Sequence, residues 1–192
     1  MDTRRTVVIL GHPDSESFTG HLAAEYVAAA ESAGREVRVF RLGEMDFDPI
    51  LHHGYRERQE LEPDLVELRG AITWATHLAI FYPIWWGEIP ALLKGMFDRI
   101  LLPGYAFKYR KNSPFWDRLL AGRSARVFTT MDTPPWYFRW VYRRPGHRVI
   151  RSNILDFCGI RPVKIHSIGS VRKSTPERRA RWVEQVRRYA GS

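Results

Sequence analysis

Apolar positions along this chain follow two alternating rhythms. Short apolar runs predict strands at Thr6–Leu10, Glu36–Leu42, His77–Ile84, Ala125–Met131 and Pro162–Ile168. Helical patterns fall between and after them, over Gly20–Gly34, Asp64–Ala75, Pro90–Leu101, His147–Gly159 and Thr175–Ala190. The punctuation agrees with this division. Gly34 and Gly159 stand where their helices should stop, Pro90 falls at a natural first helical position, and Thr175-Pro176 reads as an N-cap followed by N1. Strands one and three are nearly continuous apolar runs, as expected where helices cover both faces. The order β-α-β-α-β-α-β-α-β-α therefore predicts an α/β fold, a doubly wound five-stranded parallel sheet with helices on both faces. No repeat or low-complexity linker is visible, so residues 1–192 read as one domain.

In such a sheet the ligand lies beyond the carboxyl ends of the strands, where the strand order reverses. Three segments are placed there. Gly11–Glu25 carries Ser15, Ser17 and Thr19 into a helix N-terminus, which suits an anion; a plain N-cap at Ser17 or Thr19 fits equally. It is neither a P-loop nor a G-x-G-x-x-G turn. The second segment sets Trp85 and Trp86 between Pro83, Gly87 and Pro90. Two flat apolar rings on a stiff turn suit a planar heteroaromatic group, but composition alone favours filler in a subunit interface or in the core. The third, Thr129–Arg148, interleaves Trp136, Tyr137, Phe138, Trp140 and Tyr142 with arginines. It is too long for a tight connection, and it could stack on single-stranded nucleic acid or cover a flat cofactor and meet its phosphates.

Charge and composition narrow this little. The formal net charge of +9 attracts nucleic acid, an anionic membrane surface or a polyphosphate ligand without choosing among them. One cysteine, Cys158, excludes an internal disulfide and fits a reducing cytoplasm. No apolar run reaches membrane-spanning length. The adjacent His52 and His53 lack partners at ligand spacing, so no metal is expected. The absent G-x-S-x-G elbow argues against hydrolase chemistry at Ser17.

The three segments together resemble the NAD(P)H:quinone oxidoreductase family, the flavodoxin-2 group that includes DT-diaphorase and short bacterial NAD(P)H oxidoreductases. The resemblance rests on the run Pro83, Trp86, Pro90, Ala91, Leu93, Lys94, Gly95, Asp98 and Arg99, with Gly104–Tyr109 after it. His12, Ser17 and Phe18 add to it, as do Asp46–Leu51 and Asn153–Ile160. It implies a flavodoxin-like fold, a cytoplasmic homodimer and a non-covalent flavin, FMN for a chain this short, with FAD the alternative. His12, Ser17, Phe18 and Thr19 would then hold the flavin phosphate and ribityl chain. Pro83, Ile84, Trp85, Trp86 and Gly87 would line the ring, and Thr129, Thr130, Met131 and Asp132 its other edge. Met131 and Asp132 depart from the family's paired glycines, and Arg143 stands where the family has a histidine, with His147 further on.

The implied reaction is a ping-pong relay of hydride from NAD(P)H through the flavin to a quinone or similar flat acceptor. Tyr137, then Arg143 or His147, would stabilise charge at the flavin's polar edge, and the arginines favour NADPH. An alternative is a flavin-binding ancillary subunit of a membrane transport system such as potassium efflux, docked on a peripheral membrane-protein partner. A third possibility, nucleic-acid binding, is set aside on the strength of the resemblance.

Overall fold

A computed structural model describes residues 5–191. Strands β1 (Arg5–Leu10), β2 (Glu36–Arg41), β3 (His77–Pro83), β6 (Ser124–Thr130) and β7 (Val163–Ile168) form one sheet in the order β2-β1-β3-β6-β7. Every pairing in it is parallel. The five expected strands are thus the five observed, to within a residue at each end. β3 is buried along its whole length, as its unbroken apolar run requires.

Alternation along the strands divides the core into two layers. Val8, Leu10, Ala79, Phe81 and Phe128 face α1 (Phe18–Ser32) and α7 (Pro176–Gly191). Val7, Ile9, Leu78, Ile80 and Val127 face α2 (Pro63–Trp74), α3 (Ala91–Ile100) and the helical stretch 145–158. In the first layer Phe81 stacks on Phe128 at 4.6 Å and Tyr26 meets both edge-on. Each such aromatic pair adds about 0.5–1.5 kcal/mol beyond the area it buries.

In the second layer Arg99 is fully buried on α3. It forks onto Glu62 at 3.0 and 2.9 Å and donates to the carbonyls of Asp48 and Glu60. Burial alone would raise the Glu62 carboxyl, but the guanidinium beside it holds it below its ordinary value. One arginine therefore fixes the long connection after β2 to the start of α2.

Four features differ from expectation. Phe107–Tyr109 (β4) and Trp116–Arg118 (β5) form a separate antiparallel hairpin. The third segment is not a loop throughout, because Pro135–Trp140 winds into a short helix, α4. The fourth expected helix begins at Pro145 as α5 (Pro145–Arg148), widens to a π-helix over Val149–Leu155 and ends as α6 (Asp156–Cys158). Pro90 caps α3 instead of occupying its first turn.

Candidate functional site

The strand order reverses between β1 and β3, and the segments that follow these strands meet there. After β1 the chain is drawn toward β3 by the Gly11 N–H, which donates to the Phe81 carbonyl at 2.7 Å. His12 Nδ1 accepts from the Asp14 N–H, and the Asp14 carboxylate accepts from the Glu16 N–H, so the loop coils tightly. Ser17 is the N-cap, its Oγ accepting from Gly20 N–H at 3.2 Å. The α-helical ladder starts with His21 N–H on the Ser17 carbonyl. That leaves the N–H groups of Phe18 and Thr19 as first-turn donors at the positive end of a 15-residue helix. Gly20 lets the loop lie this low, since a Cβ there would stand 1.9 Å from the Ser15 carbonyl oxygen.

The side chains of this segment divide their work. Thr19 Oγ1 lies 2.6 Å from Thr130 Oγ1, a buried contact that ties the first segment to the end of β6. Phe18 instead packs on Trp182 of α7, beneath Arg179. The His12 ring meets Trp85 edge-on at 5.5 Å, joining the first segment to the second.

The second segment resolves into a two-residue hairpin turn. Trp85 and Glu88 exchange both backbone hydrogen bonds, at 2.9 and 3.1 Å. Trp86 and Gly87 between them have φ of 52° and 80°. Positive φ at both central positions is the type I′ signature, in which Asn-Gly is the favoured pair. A tryptophan at the first position is strained, and its ring is fully exposed, so core packing does not hold it there. The N–H groups of Trp86 and Gly87 lie outside the turn's own hydrogen bonds.

The third segment closes over this turn. Gly146 N–H donates to the Gly87 carbonyl at 3.1 Å, and a Cβ on Gly146 would sit 3.0 Å from that oxygen. Between the two segments lies a cleft of about 420 Å³ lined by Ile84, Trp86, Gly87, Thr133, Phe138, Tyr142 and Pro145. A second cavity of about 390 Å³, beside Arg99 and Tyr105, includes no residue of the three segments.

The expected site residues distribute as follows. Ile84, Trp86 and Gly87 line the cleft, while Trp85 is turned toward His12. Pro83 and Thr130 pair at the ends of β3 and β6. Met131 is buried, with backbone bonds to Ile168 and Val171, and Asp132 accepts from the Arg172 N–H at 2.8 Å. Both therefore brace β6 against the β7–α7 connection, and the next residue, Thr133, faces the cleft instead. Tyr137 is set back, its ring edge-on to Trp136 and Tyr142, and Tyr142 is the tyrosine on the cleft wall. Arg143 is exposed, and with Arg144 it forms a left-handed pair that turns the chain into α5.

His147, expected with Arg143 after Tyr137 as a donor or cation at the flavin's polar edge, is not among the residues that line the cleft. It is buried below Phe138, its Nε2 3.2 Å from Thr129 Oγ1 and 3.4 Å from Ser167 Oγ. Burial, then the nearby Arg144 and Arg151, pushes its pKa down to about 4, so it is neutral at pH 7. It supports the third segment from beneath. Phe138, Thr133, Tyr142 and Pro145 were not singled out as lining residues. The aromatic density of the third segment was their only signal, and it did not say which rings turn inward.

Comparison with known proteins agrees with this architecture. The chain is 31% identical over 196 residues to NAD(P)H dehydrogenase [quinone] 1 of Cavia porcellus, covering 86% of this chain and 70% of that one. Among solved structures it superposes on NAD(P)H:quinone oxidoreductase from Methanothermobacter marburgensis with a TM-score of 0.81, at 22% identity, over 97% of this chain and 94% of the other. An FMN-dependent NADH-azoreductase from Bacillus anthracis, solved with FMN, gives a TM-score of 0.76 at 19% identity, with 97% of each chain covered. The Flavodoxin_2 family, described as a flavodoxin-like fold, matches residues 4–190. With nearly its whole length matched, the chain belongs to the Flavodoxin_2 family.

Proposed function

We propose that this chain is a flavin-dependent NAD(P)H oxidoreductase, with FMN as the flavin and a quinone or similar flat molecule as the acceptor. One observation carries the reading: a helix N-terminus with free donors and a strained aromatic turn converge at a single strand-order reversal. The residues present fit such a group. The first-turn N–H groups of Phe18 and Thr19 suit a phosphate, and the Gly20–Ser15 contact keeps the loop low enough to cradle it. Trp86 supplies a flat wall, and the N–H groups of Trp86 and Gly87 suit the polar edge of a heterocycle. Bound there, FMN would supply the hydride chemistry between nicotinamide and acceptor.

The chain's own part is to bind, orient and exclude water. Phe138, Tyr142 and Pro145 form the lid side of the cleft, and the Gly146–Gly87 hydrogen bond holds lid and turn at a fixed separation. His147, neutral at pH 7, packs beneath Phe138. A single cleft receives nicotinamide and acceptor in turn, which gives ping-pong kinetics. The reading includes a homodimer, formed at the groove between α3, β4 and the 145–158 stretch, whose lining includes the exposed Tyr55 and Tyr109.

The test begins with flavin uptake. Purified protein mixed with FMN should quench its fluorescence and carry it through gel filtration in equimolar amount. Initial rates with NADPH and benzoquinone should then give parallel double-reciprocal lines. Failure to retain FMN sinks the assignment; converging lines sink the single-cleft mechanism alone.

A further inference from the structure

The lid exposes more apolar surface than the cleft uses. Trp136 and Trp140 are 62% and 69% exposed, and Val141 after them is also exposed. The two tryptophans stand four residues apart on α4 and so share a helix face. Trp86, fully exposed, lines the cleft on the side of the second segment. Single exposed apolar residues are ordinary, but three within six residues of one short segment mark an interaction surface.

The charge along the lid segment has one sign. From Thr133 to Leu155 there are five arginines (139, 143, 144, 148 and 151) and no Asp or Glu. Among the described residues none of the five is in an ion pair, whereas Arg99, Arg110 and Arg187 are each paired with a carboxylate. Arg144 feels the crowding: burial and the nearby Arg139 and Arg151 lower its hold on its proton. The segment that carries Trp136 and Trp140 is thus positive, with no carboxylate of its own.

Indole rings beside arginine are the combination that settles at the headgroup level of a bilayer. We propose that the lid docks peripherally on an anionic phospholipid surface. Trp136 and Trp140 enter the headgroup boundary, and Arg139 and Arg151 meet lipid phosphates. Among the described residues no helix is long and apolar enough to cross a membrane. Val141 favours lipid over single-stranded nucleic acid, because an exposed aliphatic side chain gains nothing from base stacking. The dimer groove assigned above is lined by other residues. Under the oxidoreductase reading, docking would present the cleft to a lipophilic acceptor; the docking itself does not depend on that reading.

The test is sedimentation of the full chain with vesicles, flavin content being read separately on the same samples. Vesicles of equal parts phosphatidylglycerol and phosphatidylcholine should carry the protein down, and pure phosphatidylcholine should bind at least about tenfold less. Raised salt should release the charge-dependent part. Arg139→Gln with Arg151→Gln should weaken binding about thirtyfold, at about fivefold per charge. Trp136→Gln with Trp140→Gln should abolish it while leaving the circular dichroism spectrum and FMN uptake unchanged. The proposal is overturned by no sedimentation with anionic vesicles, or by binding unchanged in the tryptophan variant. It is equally overturned if oligothymidylate displaces the vesicles, marking a nucleic-acid surface, or if the tryptophan variant turns a dimer into a monomer, marking a surface for a second copy.

Discussion

Replacing Trp86 by asparagine separates what this residue does for the fold from what it does for the site. Its φ of 52° lies in the left-handed region, which costs a bulky L-residue about 1–2 kcal/mol. Asparagine tolerates that region, and Asn-Gly is the pair a type I′ turn prefers. The ring is fully exposed, so its removal forfeits little burial. Trp86→Asn should therefore stabilise the flavin-free protein by about 1 kcal/mol, raising Tm by about 2–4 °C for a domain of this size. The same change removes a wall of the cleft. Flavin affinity should fall at least tenfold, or about 1.4 kcal/mol, the low end of one aromatic stacking contact. Urea denaturation of flavin-free protein and FMN titration by fluorescence give the two numbers. A variant less stable than the parent, with FMN affinity intact, would refute both the strain argument and the assignment of the turn.

Gly20→Ala drives a Cβ into the Ser15 carbonyl and lifts the first segment, so FMN affinity should drop by at least tenfold while α1 persists by circular dichroism. Thr19→Val keeps the shape but leaves Thr130 Oγ1 without its buried partner, at a cost of about 1–2 kcal/mol in urea denaturation. Arg99→Met strands the Glu62 carboxylate and two carbonyls and should destabilise by about 3 kcal/mol, with Arg99→Lys restoring only part. His147 makes stability pH-dependent. Its folded pKa of about 4 lies below the ordinary 6.5, so between these values the unfolded chain binds the extra proton. This contribution is complete above pH 6.5 and is lost as pH falls toward 4, by up to about 3 kcal/mol. His166, also lowered to about 4 by burial, acts in the same direction, so His147→Gln should flatten the slope without abolishing it. An unchanged slope between pH 4 and 6.5 would contradict the buried, neutral placement of His147.

The sheet was legible because its signals are long and redundant. His77–Pro83 is apolar on both faces, and the Gly34, Gly159 and Thr175 signals stand at helix ends in the structure. The β4–β5 hairpin escaped because three-residue strands carry too few alternations to detect. Helix α4 escaped because six residues, the first of them a proline, are too few to show an apolar period.

The site was legible by segment and not by side chain. The run of prolines, tryptophans and glycine around Trp86 marked the turn, but a tryptophan at positive φ is what local propensity argues against, so the type I′ geometry was hidden. His147 and Tyr137 are residue types that serve equally as proton donors or as packing. Only the tertiary position of Phe138 and Thr129 shows that His147 packs. Met131 and Asp132 drew notice for departing from the family's glycines, and the β7–α7 connection they brace lies about 40 residues further along the chain.

The central claim is that these three segments bind a flavin that NAD(P)H reduces and a flat acceptor reoxidises. Anaerobic stopped-flow absorbance tests it directly on protein reconstituted with FMN. The account predicts that NADPH bleaches the flavin band without any acceptor present, and that benzoquinone added afterwards restores it. Retained FMN that NADPH leaves unbleached would contradict the account and mark the chain as a flavin binder without this reductase activity.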